Sequence, residues 1–144
     1  MSIKFEKGMK TREAVLGSDY LDKVKKHCIE WHKIVDEVYK TVDENNPVQT
    51  EYIGALNEFI DDNDVIVCAA GSAPGDLHKL WRTKNSKGFH LEYGNSCMGY
   101  EIPGGLGVKM ADTDREVYVI CGDASYLMLP SDIITTIQEG YKIT

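Results

Sequence analysis

Hydrophobic residues in the first third of the chain recur at alternating steps of four and three, which is the spacing of one face of a helix. They stand at Val24, Cys28, Trp31, Val35, Val38 and Val42. The pattern predicts one long amphipathic helix that begins at Ser18 and ends near "DENNP", because Pro47 disfavours helical geometry in the residue before it. Residues 1–17 lack this period and contain Gly8 and Gly17, so we expect an irregular arm there.

Beyond this segment, the pattern alternates between helical spacing and short apolar runs. The segment "QTEYIGALNEFI" carries Ile53, Leu56 and Ile60 on one face. It predicts a second helix that begins at Gln49 or Thr50. The run "VIVCAAG" is continuous and rich in β-branched residues, which is typical of a strand covered on both faces.

The rest of the chain continues the alternation. In order, we expect a short helix in "LHKLW", a strand in "GFHLEYG", a helix in "EIPGGLGVKMA", a strand in "EVYVICGD", a helix in "SDIITTIQEG" and the opening of a further strand in "YKIT". This order predicts an incomplete three-layer α/β/α fold with a mainly parallel sheet. We place that partial domain at residues 48–144, after an N-terminal arm and helix at residues 1–47, and expect the chain to be the first part of a larger domain.

Charge and hydropathy exclude several classes of partner. The 144 residues carry a formal net charge of −7, and the basic residues are scattered apart from "KVKK". This balance disfavours binding to nucleic acid or to an anionic membrane. No apolar run reaches the roughly 18 residues of a membrane span, and the N-terminus is too polar for a secretory signal. We therefore expect a cytoplasmic protein.

The four cysteines lie far apart in the sequence and form no CxxC pair. They are Cys28, Cys68, Cys97 and Cys121. Reduced thiols in the core are the favoured interpretation, over a zinc site or a disulfide framework.

Two Gly-containing segments, "AAGSAPGD" and "CGDAS", follow predicted strands. Because the carboxyl ends of parallel strands meet at one edge of a sheet, both segments are expected at the edge where ligands bind. Such loops can hold phosphate through their backbone N–H groups. Asp123 has two interpretations that the pattern leaves open: a turn cap between strand and helix, and a metal ligand beside a phosphate.

The segment "YGNSCMGYEIPGGLGVKMADTDREVYVICGDASYLMLPSDIITTIQ" resembles the diphosphate-binding domain of thiamine-diphosphate-dependent enzymes of the acetolactate synthase and pyruvate decarboxylase type. The marks of this resemblance are a "MGxxxP" segment, a Gly-rich helix and a strand that ends in a Gly-Asp signature. Within that superfamily, "LWRT" and "EYGNSCMGYE" resemble the trihydroxycyclohexanedione hydrolases of inositol catabolism, which open a cyclic 1,2-dione ring. The likeness is close over residues 48–144 and weak before them.

The resemblance implies that the chain binds thiamine diphosphate and Mg²⁺. Asp123 would be the metal ligand. Backbone N–H groups and a hydroxyl for the diphosphate would come from Gly71, Ser72, Gly122, Ala124 and Ser125. The implied substrate is a small cyclic diketone derived from a polyol.

The resemblance also implies contacts to the aminopyrimidine ring of the cofactor from Cys97, Met98 and Gly99. Met98 would be an apolar wedge that keeps the cofactor bent. His90 and Glu92 lie just before this segment and are candidate catalytic residues that would carry protons. A structural or surface role for both remains the alternative.

Some features of the family pattern differ here. Ala124 stands in place of a glycine, which is tolerable only where the backbone does not need a positive φ. Asn95 stands where an aromatic residue is expected. The activating glutamate of a separate pyrimidine-binding domain and a downstream asparagine metal ligand have no counterpart. We therefore expect a fragment that is not active alone.

Partners follow from the same reasoning. We expect a homodimer, or association with a chain that supplies the rest of the enzyme. The long N-terminal helix either packs on a core or contacts such a partner through Trp31, Val35 and Val38. The alternative function is a non-catalytic folded fragment that dimerises and binds no cofactor. A nucleotide-binding domain is disfavoured, because neither GxGxxG nor a Walker lysine occurs in the required context.

Overall fold

The computed structural model describes residues 3–144. Their helices and strands are α1 (Ile3–Leu16), α2 (Ser18–Tyr39), α3 (Gln49–Phe59), β1 (Val65–Cys68), α4 (Ser72–Leu80), β2 (Phe89–Leu91), α5 (Glu101–Ala111), β3 (Val117–Ile120), α6 (Asp123–Met128) and α7 (Ser131–Glu139). The chain forms two compact units, which divide after Thr41. We describe each unit by itself.

The first unit consists of two helices, α1 and α2, that meet at Gly17. Its φ of +82° lies in the left-handed region that glycine adopts without strain. The predicted long helix is confirmed at Ser18 but ends at Tyr39, before "DENNP". There the Asp43 side chain accepts the N–H groups of Asn45 and Asn46, at 3.0 and 3.2 Å, and forms a turn.

The predicted irregular arm at residues 1–17 is wrong over the residues that the structure describes, because they form α1. Half of the 14 residues of α1 are lysine, glutamate, arginine or alanine, which favour helix by intrinsic propensity even without an apolar stripe. Leu21 of α2 is buried and lines a cavity beside Met9 of α1. The helix α1 therefore has a packing partner within its unit.

The second unit contains a parallel sheet with strand order β2-β1-β3. The central strand, β1, is buried at all four positions, as its continuous apolar sequence predicts. In register, Val67 lies beside His90 of β2 and Val119 of β3. The predicted α/β fold with a parallel sheet is thus confirmed.

Helices cover both faces of this sheet, because side chains alternate along each strand. On one face, Val65 and Val67 pack with Val117. Tyr100, just before α5, and Val108, within α5, pack against this cluster. The other face carries α3 and α4. There Ile53 and Leu56 of α3 and Leu77 of α4 line a small cavity with Ile120 of β3, and Phe59 meets Tyr118 edge to face at 6.4 Å.

Two helices differ from the sequence prediction. The helix predicted in "LHKLW" begins five residues earlier, at Ser72, so "SAPGD" forms its first turns. Gly, Ser and Pro are typical of turns, but they are equally suited to the start of a helix. Proline has no N–H, and in the first turn no intrahelical hydrogen bond is lost for that reason. The short helix α6 was not predicted.

Residues 141–144 form no strand of their own, but the last of them, Thr144, pairs with β3. The Thr144 N–H donates to the Val117 carbonyl at 2.9 Å, and the Val119 N–H donates to the Thr144 carbonyl at 2.7 Å. This pair of bonds is the pattern of a parallel bridge to β3. It agrees with the expected strand opening in "YKIT".

Membrane insertion by a helix finds no support in the described part of the chain. Among residues 3–144, no helix combines the length and the apolar character that a bilayer span requires.

Two glycines of α5 provide a matched test of its close approach to β3. A Cβ at Gly105 would lie 2.3 Å from Val119 Cγ2, whereas a Cβ at Gly107 would meet nothing within 4 Å. We expect Gly105→Ala to lower the free energy of unfolding by about 1–3 kcal/mol through overpacking. Gly107→Ala should raise it by about 1 kcal/mol through helix propensity. Urea denaturation measures both, and stabilisation by both would contradict this packing.

Candidate functional site

Three chain segments meet at the carboxyl edge of the sheet. Each follows one strand: residues 69–72 follow β1, residues 92–100 follow β2, and residues 121–125 follow β3. Because β1 pairs with both neighbours in parallel, the three segments leave the sheet at the same edge. The topology therefore brings together the predicted cofactor-binding residues, which all lie on these segments.

The segment after β1 ends in Gly71, which caps the N-terminus of α4. Its φ is +119°, a conformation that side chains rarely adopt. Ser72 follows at the first helical position and is exposed. The first N–H groups of a helix have no acceptor within the helix, so those at the start of α4 are available to an anion.

The segment after β3 carries Gly122, Asp123, Ala124 and Ser125. Gly122 has extended backbone geometry, and Ala124 lies in α6 without a positive φ, so the methyl group of Ala124 causes no strain. Asp123 is exposed, and its carboxylate makes no hydrogen bond or ion pair with the described residues. This arrangement weakens the interpretation of Asp123 as a turn cap.

Ser125 is the unusual residue of this segment. Its side chain is 2% exposed, and its Oγ has no hydrogen-bond partner among the described residues. A buried hydroxyl without a partner costs free energy, so such an atom needs an explanation. It lies two residues after Asp123, next to the end of β3.

The segment after β2 has an unusual backbone. Ser96 has a φ of +52° and Gly99 a φ of +89°. A Cβ at Gly99 would lie 3.2 Å from Cβ of Met128, so both conformation and space favour glycine there. Cys97 is exposed and the Met98 side chain is 44% exposed, which leaves this apolar group free to contact a ligand.

Glu92 organises the start of this loop. Its carboxylate accepts the N–H groups of Cys97 at 3.0 Å and Asn95 at 3.4 Å. A hydrogen bond from the Cys97 thiol, followed by the bond from the Cys97 backbone, lowers the pKa of Glu92. The same contact raises the pKa of Cys97. Asn95 thus contributes to the loop conformation through its backbone N–H, which binds Glu92.

The structure separates His90 from Glu92. His90 lies within β2 beside Val67, and it lines an open cavity of about 600 Å³ with Tyr100 and Gly104. Glu92 lies beyond the last residue of β2, within the loop. Both catalytic assignments stay predictions, but only Glu92 contacts the segment at 95–99.

Glu101 is a functional candidate that the sequence analysis missed. It is the first residue of α5 and is 1% exposed. Its Oε1 accepts the Ala70 N–H at 3.3 Å, and its Oε2 accepts the Gly99 N–H at 2.9 Å. The available signal was an acidic residue inside the apolar string "CMGYEIPGG". A side chain in that position must be either exposed or bound by internal donors.

The negative charge of Glu101 affects two thiols at the strand ends. Burial, and then this charge, raise the pKa of Cys68 to about 12. The same two causes, in the same order, raise the pKa of Cys121. All four thiols are free, but only Cys68 is fully buried, while Cys28 and Cys97 are exposed. The expectation of core thiols therefore fits Cys68 and only partly Cys121.

No ready-made metal centre is present in the described residues. Within residues 3–144, no three His, Cys, Asp or Glu side chains converge in a way that could hold a metal ion. A cation at Asp123 would need further oxygen ligands from water or from a bound anion.

Similarity to known proteins covers most of this region. The family model described as thiamine pyrophosphate enzyme, C-terminal TPP binding domain, matches residues 69–144. Curated relatives with the name 3D-(3,5/4)-trihydroxycyclohexane-1,2-dione hydrolase include that of Clostridium tetani, 49% identical over 125 residues, which are 87% of this chain and 19% of that protein. Those of Geobacillus thermodenitrificans and Bacillus subtilis are 57% and 55% identical over 95 residues, 66% of this chain and 15% of each relative. The chain spans less than a fifth of the length of each.

The contact between Glu92 and Cys97 predicts a change in thiol reactivity. Glu92→Ala removes the acceptor that raises the pKa of Cys97, so a larger fraction of Cys97 is thiolate at pH 8. We expect alkylation of Cys97 by iodoacetamide to become measurably faster in the variant. Peptide mass spectrometry measures this rate, with the exposed Cys28 as internal reference. Equal rates in both proteins would show that the contact is absent in solution.

Proposed function

The chain belongs to the thiamine pyrophosphate enzyme family, and on that premise we propose that it binds thiamine diphosphate together with Mg²⁺ as part of a hydrolase that opens a cyclic 1,2-dione. The observation that carries the proposal is a pair of groups after β3 that have no partner in the described residues: the exposed Asp123 carboxylate and the buried Ser125 hydroxyl. A ligand that contains both a cation and phosphate oxygens would satisfy both groups.

The diphosphate would lie between the ends of β1 and β3. Ser72, at the start of α4, supplies N–H and hydroxyl donors, and the free N–H groups there carry partial positive charge. On the segment after β3, the Ser125 hydroxyl would donate a hydrogen bond that it lacks in the protein alone. Gly71 permits the sharp turn that brings the N-terminus of α4 to this edge.

Asp123 would hold Mg²⁺ against the diphosphate. Mg²⁺ prefers six oxygen ligands and keeps several waters, so one carboxylate plus phosphate oxygens is an ordinary protein contribution. The exposed position of Asp123 leaves its oxygens accessible. The Ala124 methyl group does not obstruct this arrangement, because its backbone is helical.

The pyrimidine part of the cofactor would contact the loop after β2. Met98 presents an exposed thioether that would pack against the ring, and the backbone at Cys97 and Gly99 would flank it. Thiamine diphosphate supplies, when bound, a nucleophilic carbon for attack on a carbonyl group. Of the two predicted proton carriers, Glu92 is the better candidate, since it contacts this loop directly.

The substrate and the complete activity are inferred from the relatives. They are hydrolases of 3D-(3,5/4)-trihydroxycyclohexane-1,2-dione by name, so we infer a polyol-derived cyclic diketone as the substrate class. The family resemblance also implies an activating glutamate and an asparagine metal ligand that have no counterpart in this sequence. We infer that ring opening requires these two groups in addition to the residues described here.

Calorimetric titration with thiamine diphosphate and Mg²⁺ tests the binding proposal. We expect saturable heat for the wild-type chain and at least about a tenfold loss of affinity for Asp123→Ala. Asp132→Ala is a matched control, because Asp132 is also acidic and lies in the first turn of a neighbouring helix. The control should bind as the wild type does.

Absence of heat for a wild-type sample that is folded by circular dichroism would contradict this proposal. It would favour the alternative of a folded fragment that binds no cofactor. Equal affinity of the wild type and Asp123→Ala would contradict the role of Asp123 alone.

Ser125→Ala gives an independent prediction. Because the buried hydroxyl has no partner in the described protein, its removal should leave the free energy of unfolding unchanged within about 0.5 kcal/mol or increase it. Affinity for thiamine diphosphate should nevertheless fall by about three- to tenfold, the worth of one hydrogen bond. Urea denaturation and calorimetry measure the two effects. A large loss of stability would show that Ser125 has an internal partner.

A further inference from the structure

The loop between β2 and α5 has a backbone conformation that costs free energy. The cost lies at Ser96, a non-glycine residue with φ of +52°, whereas glycine adopts the φ of +89° at Gly99 without strain. Such a conformation persists only where surrounding contacts determine it. Two carboxylates provide those contacts: Glu92 at the start of the loop and Glu101 just after its end.

The two carboxylates are not equivalent. Glu92 lies at the surface, and water competes for its hydrogen bonds to Asn95 and Cys97. Glu101 is 1% exposed, so water cannot replace it as the acceptor for Gly99. Loss of the Glu101 acceptor would leave buried donors unsatisfied, which is the costlier change.

The two carboxylates also connect different parts of the protein. Glu92 binds residues of its own loop, so its contacts determine only local shape. Glu101 joins Gly99 to Ala70, which follows the central strand β1. The next residue, Gly71, is the N-cap of α4. A single side chain thus connects the phosphate side of the proposed site to the pyrimidine side.

We propose that Glu101 is a positioning residue: its buried carboxylate fixes the 97–99 backbone relative to the end of β1, and so sets the distance between the two halves of the cofactor site. The inference rests on the proposed function. Glu101 does not need to touch the cofactor, because it acts through Ala70 and Gly99. Fixed geometry of this kind lowers the cost of ordering a loop when a ligand binds.

Glu101→Gln tests the proposal with little change of shape. Glutamine has one acceptor oxygen, so it can keep only one of the two backbone hydrogen bonds. We expect the amide of Gly99 or Ala70 to exchange its hydrogen at least about tenfold faster, measured by NMR without cofactor. The amide of Val67, within β1, should be unaffected and reports whether the fold is intact. Glu92→Gln is the matched control and should leave Ala70 exchange unchanged.

Calorimetry with thiamine diphosphate and Mg²⁺ provides the second measurement. We expect Glu101→Gln to weaken binding by at least about tenfold and the control Asp132→Asn, in the first turn of α7, by less than about threefold. A role limited to stability would lower the midpoint of unfolding and speed exchange at Val67 as well. It would not weaken binding at temperatures where the variant is fully folded.

The outcomes separate this inference from the proposed function. If the wild type binds the cofactor and Glu101→Gln binds it equally well, the positioning role is wrong and the proposed function stands. If the folded wild type does not bind, the proposed function is wrong, and the role of Glu101 toward the cofactor is wrong with it. If Glu101→Gln does not fold, Glu101→Asp replaces it. That carboxylate is too short to reach both amides, so weaker binding is again expected, and unchanged affinity would overturn the proposal.

Discussion

Parallel pairing of β1 with both of its neighbours is the constraint on which the candidate site depends. The three strands run in the same direction, and Cys68 of β1 lies beside Leu91 and Ile120 in register. All three chain segments therefore leave the sheet at the same edge and at nearly the same level. Residues that are far apart in sequence become neighbours through strand direction, and no single motif is sufficient to make the site.

Where the sequence pattern is long or uniform, it predicted the structure well. The apolar stripe of α2 predicted a helix by its period, although only Val35 of its six residues is buried, whereas the β-branched run of β1 is buried at all four positions. The wrong prediction at α1 has the opposite cause. That segment forms a helix because its residues have high helix propensity. Its apolar residues form hardly any stripe, so the hydrophobic period did not indicate a helix.

The contacts that shape the site were beyond a reading of the sequence. Glu101 stands in the first turn of a predicted helix, where an acidic residue is common because it complements the helix dipole. Only the folded chain shows that its carboxylate turns inward to bind Ala70, which is 31 positions away. Similarly, His90 and Glu92 are two residues apart and would lie on the same face of a longer strand. Because β2 ends at Leu91, only His90 lies on the sheet.

The charge of the chain explains why an anionic cofactor would need a cation here. The protein has a net charge of −7; Glu92 and Asp123 lie on segments at the carboxyl edge, and Glu101 directly follows one of them. Backbone N–H groups already balance Glu101, since it accepts two hydrogen bonds inside the protein. Asp123 has no such balance among the described residues, and a diphosphate beside it would add like charge. A divalent cation between them would turn this repulsion into two attractions, so under the proposed function the carboxylate that would reject the free anion would bind its magnesium complex.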